Sequence, residues 1–311
     1  MNIALIIVIS IAALAALCLL RVYLPPRVRL IGKKSPYKIY VALGFHINLY
    51  HSYRIDTNDE AGFGKDIRII RKILEVLNKY NRKGSKARAV WDMENLFSLE
   101  EMLPRHAPDI IGGIKRRVDE GRDEIILMSY NNGMMSAMDE KEFSDSMKRT
   151  VSNEKKSGVK DVFGVYTPYV RPQEVMTTPG NFRLMEKLGV RAAALYYSAI
   201  PFDAFRVFSR PLDYGEAMNP LGYVNRETGE KFTIIPCYNI GDLVENVSFT
   251  RWARNVRRKQ LSGELQSDVL IFINHDADDA YWYGYDLPSY LKWMPNTGGV
   301  DQLIGEIDAL D

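Results

Sequence analysis

From Lys38 onward the chain alternates between short apolar runs rich in β-branched residues and longer stretches of helical period. That alternation restricts it to repeated parallel βα units, since each strand must reach its parallel neighbour through a crossover. The spacing predicts strands at Ile39–Ile47, Arg88–Met93, Glu124–Met128, Asp161–Thr167, Arg191–Tyr197, Lys231–Pro236 and Asp268–Ile273. Helical stretches fall near 65–80, 98–119, 139–157, 180–188, 243–260 and 299–310. Ser98 and Glu101 have the spacing of a capping box, and Gly84, Gly121, Gly158 and Gly189 stand where helices should stop. The segment Phe205–Lys231, with Pro211, Pro220 and several glycines, reads as an excursion from the regular pattern. A doubly wound sheet and a seven-stranded barrel both fit this count. The first strand runs into Gly44-Phe45-His46-Ile47-Asn48, which is not the glycine fingerprint of a dinucleotide fold, and there is no Walker loop.

Composition excludes several function classes. With 41 basic and 39 acidic residues the net charge is +2, without the basic excess of a nucleic-acid partner. Cys18 and Cys237 are the two cysteines, and Cys18 lies in an apolar N-terminal run, so neither an intradomain disulfide nor a cysteine zinc site is expected. Histidine chemistry has to come from His46, His51, His106 or His275.

The N-terminal run from Ile3 to Leu20 is uncharged and close to the ~20 residues a helix needs to cross a bilayer. No basic residue precedes it and no A-x-A site follows it, so it reads as an uncleaved anchor. This divides the chain into an anchor at 1–22, a basic, proline-bearing linker at 23–37 that includes Pro25-Pro26, and a catalytic-type domain at 38–311. Arg21, Arg27, Arg29, Lys33, Lys34 and Lys38 all follow the apolar run, which by the positive-inside rule favours the cytoplasmic face. An anchor ahead of a large domain also commonly exports that domain. The triplet Asn246-Val247-Ser248 has the form of a glycosylation sequon, which arises readily by chance.

In a βα barrel the chemistry gathers at the C-terminal ends of the strands. Those ends carry His46 and Asn48; Trp91 and Asp92; Asn131; Tyr169 and Glu174; and His275, Asp276, Asp278 and Asp279, with Trp282 just beyond. Three acidic residues within four positions, Asp276 to Asp279, repel one another unless a cation, a proton or solvent relieves them.

Several of these segments resemble the catalytic barrel of glycoside hydrolase family 57 and, more distantly, the family 38 α-mannosidases. His46-Ile47-Asn48 is similar to a His-x-His pair after the first strand, and Gly121-Arg122-Asp123-Glu124-Ile125 to a Gly-Gln-x-Glu-Ile segment. Glu174, Pro179 and Gly189 match the spacing around a catalytic Glu, and Asp276-Ala277-Asp278 resembles the Asp-x-Glu that carries the acid. The resemblance implies a (β/α)7 barrel and a retaining glycosidase or glycosyl-transferring enzyme acting on an oligo- or polysaccharide. It casts Glu174 as nucleophile and Asp276 as general acid. His46, Asn48, Asp92, Glu124, Asn131, His275 and Asp278 would bind sugar hydroxyls, with Trp91, Tyr169 and Trp282 as stacking faces. No cofactor is needed. The sequence departs from the family at Asn48, at Arg171-Pro172-Gln173 and at Asp278.

Two other readings stand beside it. A zinc-dependent hydrolase of the family 38 or deacetylase type would use His46, His275 and Asp276 as ligands. A non-catalytic glycan-binding membrane protein would keep the barrel without turnover. The proline-bearing linker separates two independent hydrophobic units, so deleting residues 1–35 should leave a soluble protein that unfolds cooperatively. Aggregation of the truncated chain alone, with the full chain stable in detergent, would show that the first helix packs on the rest.

Overall fold

The computed structural model describes residues 3–23, 35–49, 63–200, 202, 207, 209–225, 227–244, 248–284 and 298–310. Pro25, Pro26, His51 and Asn246 lie outside the described residues. The strands are β1 (Ile39–Ile47), β2 (Val90–Met93), β3 (Glu124–Ile125), β4 (Tyr169–Val170), β5 (Ala192–Tyr196), β6 (Leu221–Val224), β7 (Lys231–Tyr238) and β8 (Val269–Asp276). Seven of them form one parallel sheet in the order β3-β2-β1-β8-β7-β5-β4. The ends of that order meet through a parallel bridge between Leu127, just past β3, and Val170 of β4. Leu127 N–H donates to Tyr169 O and Arg171 N–H donates to Leu127 O, both at 2.7 Å. The sheet therefore curls into a seven-stranded barrel rather than lying open as a doubly wound sheet.

Side chains alternate across this ring as the pleat requires. Outward residues such as Phe45, Ile47, Trp91, Ile271 and Ile273 join the main core beneath the helices. Inward residues form a second, smaller cluster of Ile126, Val175, Ala194, Cys237 and Phe272. On β1 the inward position is Gly44, where an added Cβ would lie 2.5 Å from Asn274 Nδ2 and 2.8 Å from Phe272. The glycine makes room for two larger side chains from β8 inside a narrow barrel.

Most helical expectations hold, with instructive shifts. Helices run over Gly64–Arg82, Pro108–Asp119, Glu140–Val151, Gly180–Lys187, Phe249–Ser262 and Gly299–Asp308. The expected strand Asp161–Thr167 is wrong: a short helix occupies Val159–Phe163, and β4 begins at Tyr169. Its apolar residues cover the outside of the barrel, a pattern that a short apolar run shares with a buried strand. The expected capping box is also replaced. Glu94 accepts from the Phe97 and Ser98 N–H groups, while Ser98 Oγ accepts from Leu49 N–H. Gly84, Gly121 and Gly189 take left-handed φ values of 95°, 67° and 80° where their helices end. Gly158 instead precedes the Val159–Phe163 helix with φ −64°. The 205–231 excursion contributes β6, an antiparallel, half-exposed partner on the flank of β7.

A helix covers Ile3–Tyr23, with side chains described over 6–16, all of them exposed. Among the described residues no helix is long and apolar enough to cross a membrane.

One buried ion pair clamps the N-terminal end of the barrel. Arg117 holds Asp123 through two bonds of 2.7 and 2.8 Å, and its remaining nitrogen donates to Asn78 and Asn81. Asp123 also accepts from Trp91 Nε1 and from Ala89 N–H. Two helices, β2 and the start of β3 thus meet at one carboxylate. Asp123→Ala should lower the unfolding free energy by about 3–5 kcal/mol, because Arg117 would be left as an uncompensated buried charge. Chemical denaturation of the variant against the parent measures it.

Candidate active site

At the C-terminal end of the barrel interior, polar residues replace apolar ones. The register pairs His46 of β1 with Asp92 of β2 on one side and with Asp276 of β8 on the other. His46 Nδ1 lies 2.6 Å from Asp92 Oδ2. Asp92 Oδ1 accepts from Asn274 Nδ2 at 2.8 Å, and Asn274 Oδ1 accepts from Arg171 Nε at 3.1 Å. Arg171 stands 3.7 Å from Asp92 and 3.9 Å from Asp276. A continuous polar chain, His46–Asp92–Asn274–Arg171–Asp276, thus crosses the barrel between β1, β2, β8 and the segment after β4. Its members are buried except the last, whose side chain is 43% exposed. The chain ends on a carboxylate in contact with solvent, while Arg171 Nη1 is buried and has no hydrogen-bond partner among the described residues.

Glu94, one inward position beyond Asp92, is buried as well. Burial pushes its carboxyl above the usual range, against the opposing pull of the Ser98 and Phe97 N–H groups and of His46. It caps the Asn95–Met102 helical turn and lies within the electrostatic reach of His46.

Of the residues singled out from sequence, His46, Asp92 and Asp276 come together. Asn48 is buried just past the end of β1, on the same face of the chain as His46. Glu174 follows β4 on a tight turn with φ 54°, ψ 20°, and the next residue, Val175, has φ 53°. A β-branched residue rarely takes that conformation, so the turn is strained. Val175 points into the barrel interior, while Glu174 is exposed and accepts a bond from Gln173 Nε2 at 2.9 Å.

Other expected residues lie elsewhere. Trp91 is fully buried on the outer face with its Nε1–H on Asp123, so it offers no stacking surface. Trp282 is likewise buried, against Phe45, with its N–H on Asp276 O. Glu124 opens β3 and Tyr169 opens β4, which puts both at the N-terminal end of the barrel, away from His46; Glu124 accepts from Thr167 Oγ1. Asn131 is exposed on the loop after β3, where its Oδ1 accepts from Gly133 N–H. His275 faces outward: its ring lies against Trp282 and its Nε2 is 3.0 Å from Asp279.

The acidic run is therefore split rather than pooled. Asp276 turns toward Arg171, Asp279 caps the Ala280–Tyr283 turn and holds His275, and Asp278 is buried between them in sequence. The alternative zinc set does not converge, since His46 and Asp276 share the inner face and His275 the outer. Among the described residues no group of three or more His, Cys, Asp or Glu side chains is placed to hold a metal ion.

Arg171 and Asn274 were not among the site residues read from sequence. In the sequence Arg171 stands only as a departure from the family pattern, and the alternation of β8, which puts Asn274 on the face of Asp276, is the available signal for the other. A further polar pair on the inner face is Tyr196 with Asp242. Tyr196 ends β5, and its hydroxyl donates to Asp242 at 2.8 Å.

No protein-family model matches the chain, and neither does any curated protein. Solved structures do match in fold. A 4-alpha-glucanotransferase from Thermococcus litoralis superposes with a TM-score of 0.61 at 13% identity, over 88% of this chain and 38% of its own. A GH57 branching enzyme from Thermococcus kodakaraensis gives 0.53 at 11% identity, over 87% of this chain and 68% of its own. An allantoinase also gives 0.53, at 13% identity and over 91% of both chains. The barrel is thus one that carries carbohydrate-active enzymes among others, and this chain spans well under half the length of the glucanotransferase.

The buried Glu94 carboxyl makes stability depend on pH. A raised folded value means that the folded state keeps its proton longer than the unfolded one, whose carboxyl titrates near 4.5. The stabilisation is complete below pH 4.5 and is lost as pH rises through the folded value. Glu94→Gln removes that loss, so its stability relative to the parent should climb as pH rises from 4.5. Denaturation curves for both proteins across pH 4–8 give the difference directly.

Proposed function

We propose that this protein is a carbohydrate-active barrel enzyme that hydrolyses or transfers glycosidic bonds at the C-terminal end of its strands. One observation carries the reading: a buried polar chain from His46 to Asp276 occupies the inner face at the end of the barrel where chemistry resides, and terminates in a half-exposed carboxylate. A purely structural interior would be filled by apolar side chains, as the layers below it are.

Glycosidic cleavage needs an anion facing the developing oxocarbenium and a proton for the leaving oxygen. Asp276, paired with Arg171, suits the anionic role. Glu174, on the strained turn after β4, then delivers the proton, which reverses the roles implied by the family resemblance. His46 and Asn48 border the position a sugar ring would take, with His46 oriented by Asp92. The polysaccharide class rests on the fold shared with the glucanotransferase and the branching enzyme. A second reading, glycan binding without turnover, draws on the exposed Glu174, whose hydrogen bond goes to its neighbour Gln173 rather than to a member of the polar chain.

The segment 3–20 is proposed as a membrane anchor with the barrel on the cytoplasmic side. Side chains from Ile6 to Leu14 are exposed, with Ile7, Val8, Ile9, Ile11 and Leu14 each more than half uncovered. An apolar helix without a polar face needs a covering medium.

Asp276→Asn and Glu174→Gln should each reduce release of reducing sugar from an α-glucan oligosaccharide panel by about 10²–10⁴-fold with unchanged folding. Near-parental rates in either variant remove that residue from the chemistry. Saturable oligosaccharide binding by the parent without sugar release would favour the binding reading.

A further inference from the structure

A helix that follows a strand of a parallel barrel runs back opposite to it, so its first turn lies at the end holding the site and its last turn at the other; the Gly299–Asp308 helix departs from this, since Asp301 in its first turn pairs with Lys79 in the last turn of the Gly64–Arg82 helix. Each helix favours acidic residues at its start and basic ones at its finish, because these oppose its dipole. Here Asp66, Glu140 and Glu142 lie in first turns, and Lys79, Arg82, Arg116, Lys148, Lys187 and Lys259 in last turns. These last turns place several basic residues at the base, the end opposite the site, although the net charge is only +2.

A basic stretch of the base lies where the Gly64–Arg82 helix turns into β2. Arg82, Lys83, Lys86 and Arg88 are all exposed within seven positions, with no acidic residue between them. None makes an ion pair among the described residues. Of the neighbouring acids, Asp123 is held by Arg117 and Asp301 by Lys79 at 2.7 Å, while Glu124, beside Ala89 at the start of β3, accepts from the Thr167 hydroxyl. Lys83 stands over the Tyr80 ring at 5.6 Å, and none of the four cations has an acidic partner among the described residues.

The chain enters the barrel at this same end. β1 starts at Ile39, beside β2 in the sheet, and the strand is seated by Arg257 donating to Tyr37 O and by Lys38 N–H donating to Asp268. The fifteen positions from 24 to 38 join it to the apolar helix, a reach of at most ~50 Å. We infer that the basic base around Arg82, Lys83, Lys86 and Arg88 docks on an anionic lipid surface, which turns the rim bearing Asp276 away from the bilayer. The inference rests on the anchor reading above. Anionic headgroups attract basic residues only within about a Debye length, so docking is salt-dependent.

The test uses the full chain in lipid nanodiscs of phosphatidylcholine alone or with ~30% phosphatidylserine. Amine acetylation by an uncharged reagent is followed residue by residue by mass spectrometry. Lys83 and Lys86 should react about fivefold or more slowly in the anionic discs. Lys141, exposed at the rim end, should react alike in both. Salt at ~0.5 M should remove the protection, and the Arg82→Glu/Arg88→Glu variant should lack it while staying disc-bound. Equal labelling of Lys83 in both discs, or equal protection of Lys141, overturns the docking inference and leaves the anchor standing. A chain that co-elutes with neither disc overturns both.

Discussion

The Asp92 carboxylate is the group on which the site depends. It sits at zero exposure on the inner face of β2, receives Asn274 from β8 on one oxygen and His46 from β1 on the other, and has the Arg171 guanidinium 3.7 Å away. A buried carboxylate is costly unless it is bonded and neutralised, so each partner is committed to its place. Fixing Asp92 therefore fixes the histidine ring, the amide and the guanidinium, and through the guanidinium the position of Asp276. Four separate stretches of sequence become one assembly because one charge has to be satisfied.

That assembly needs a ring small enough for opposite walls to touch. Arg171 follows β4 and reaches Asn274 on β8, although β7 and β5 stand between those strands in the sheet order. An open sheet of the same order would leave the two too far apart to bond. Closure at Leu127–Val170 supplies the curvature, and Gly44 removes a side chain where Asn274 and Phe272 must enter the interior. The strained Glu174–Val175 turn fits the same logic. Val175 is drawn inward to complete the apolar layer under the polar one, and the backbone that brings it there sets Glu174 outward.

The two ends of the barrel do different work. The N-terminal end holds the dense Arg117–Asp123 clamp, in which all three guanidinium nitrogens donate and bind two helices to two strands. The C-terminal end carries groups with bonding capacity left over, among them Arg171 Nη1 and the exposed oxygens of Asp276. Saturated bonding and spare bonding capacity are thus separated along the barrel axis, and the spare capacity lies at the strand ends where βα barrels host chemistry.

Much of this was legible in the sequence. The alternation of strand and helix periods, the parallel class, the seven-strand count and the place of His46, Asp92 and Asp276 at strand ends follow from local pattern, because periodicity reports burial directly. The strand at 161–167 was misread because a short apolar run covering the barrel from outside has the same composition as one within it. Which residues share the site was settled only by tertiary structure. Parity within a strand separates His275 from Asp276, yet only closure of the ring tells which face is the interior. Trp91 and Trp282 read as stacking rings until the outer core enclosed them, and Arg171 read as a departure until it met Asp92 across the barrel. Sequence determined the elements and their polarity, since both arise from neighbours along the chain. Tertiary structure decided the site, since its charges are balanced by partners up to 182 positions apart.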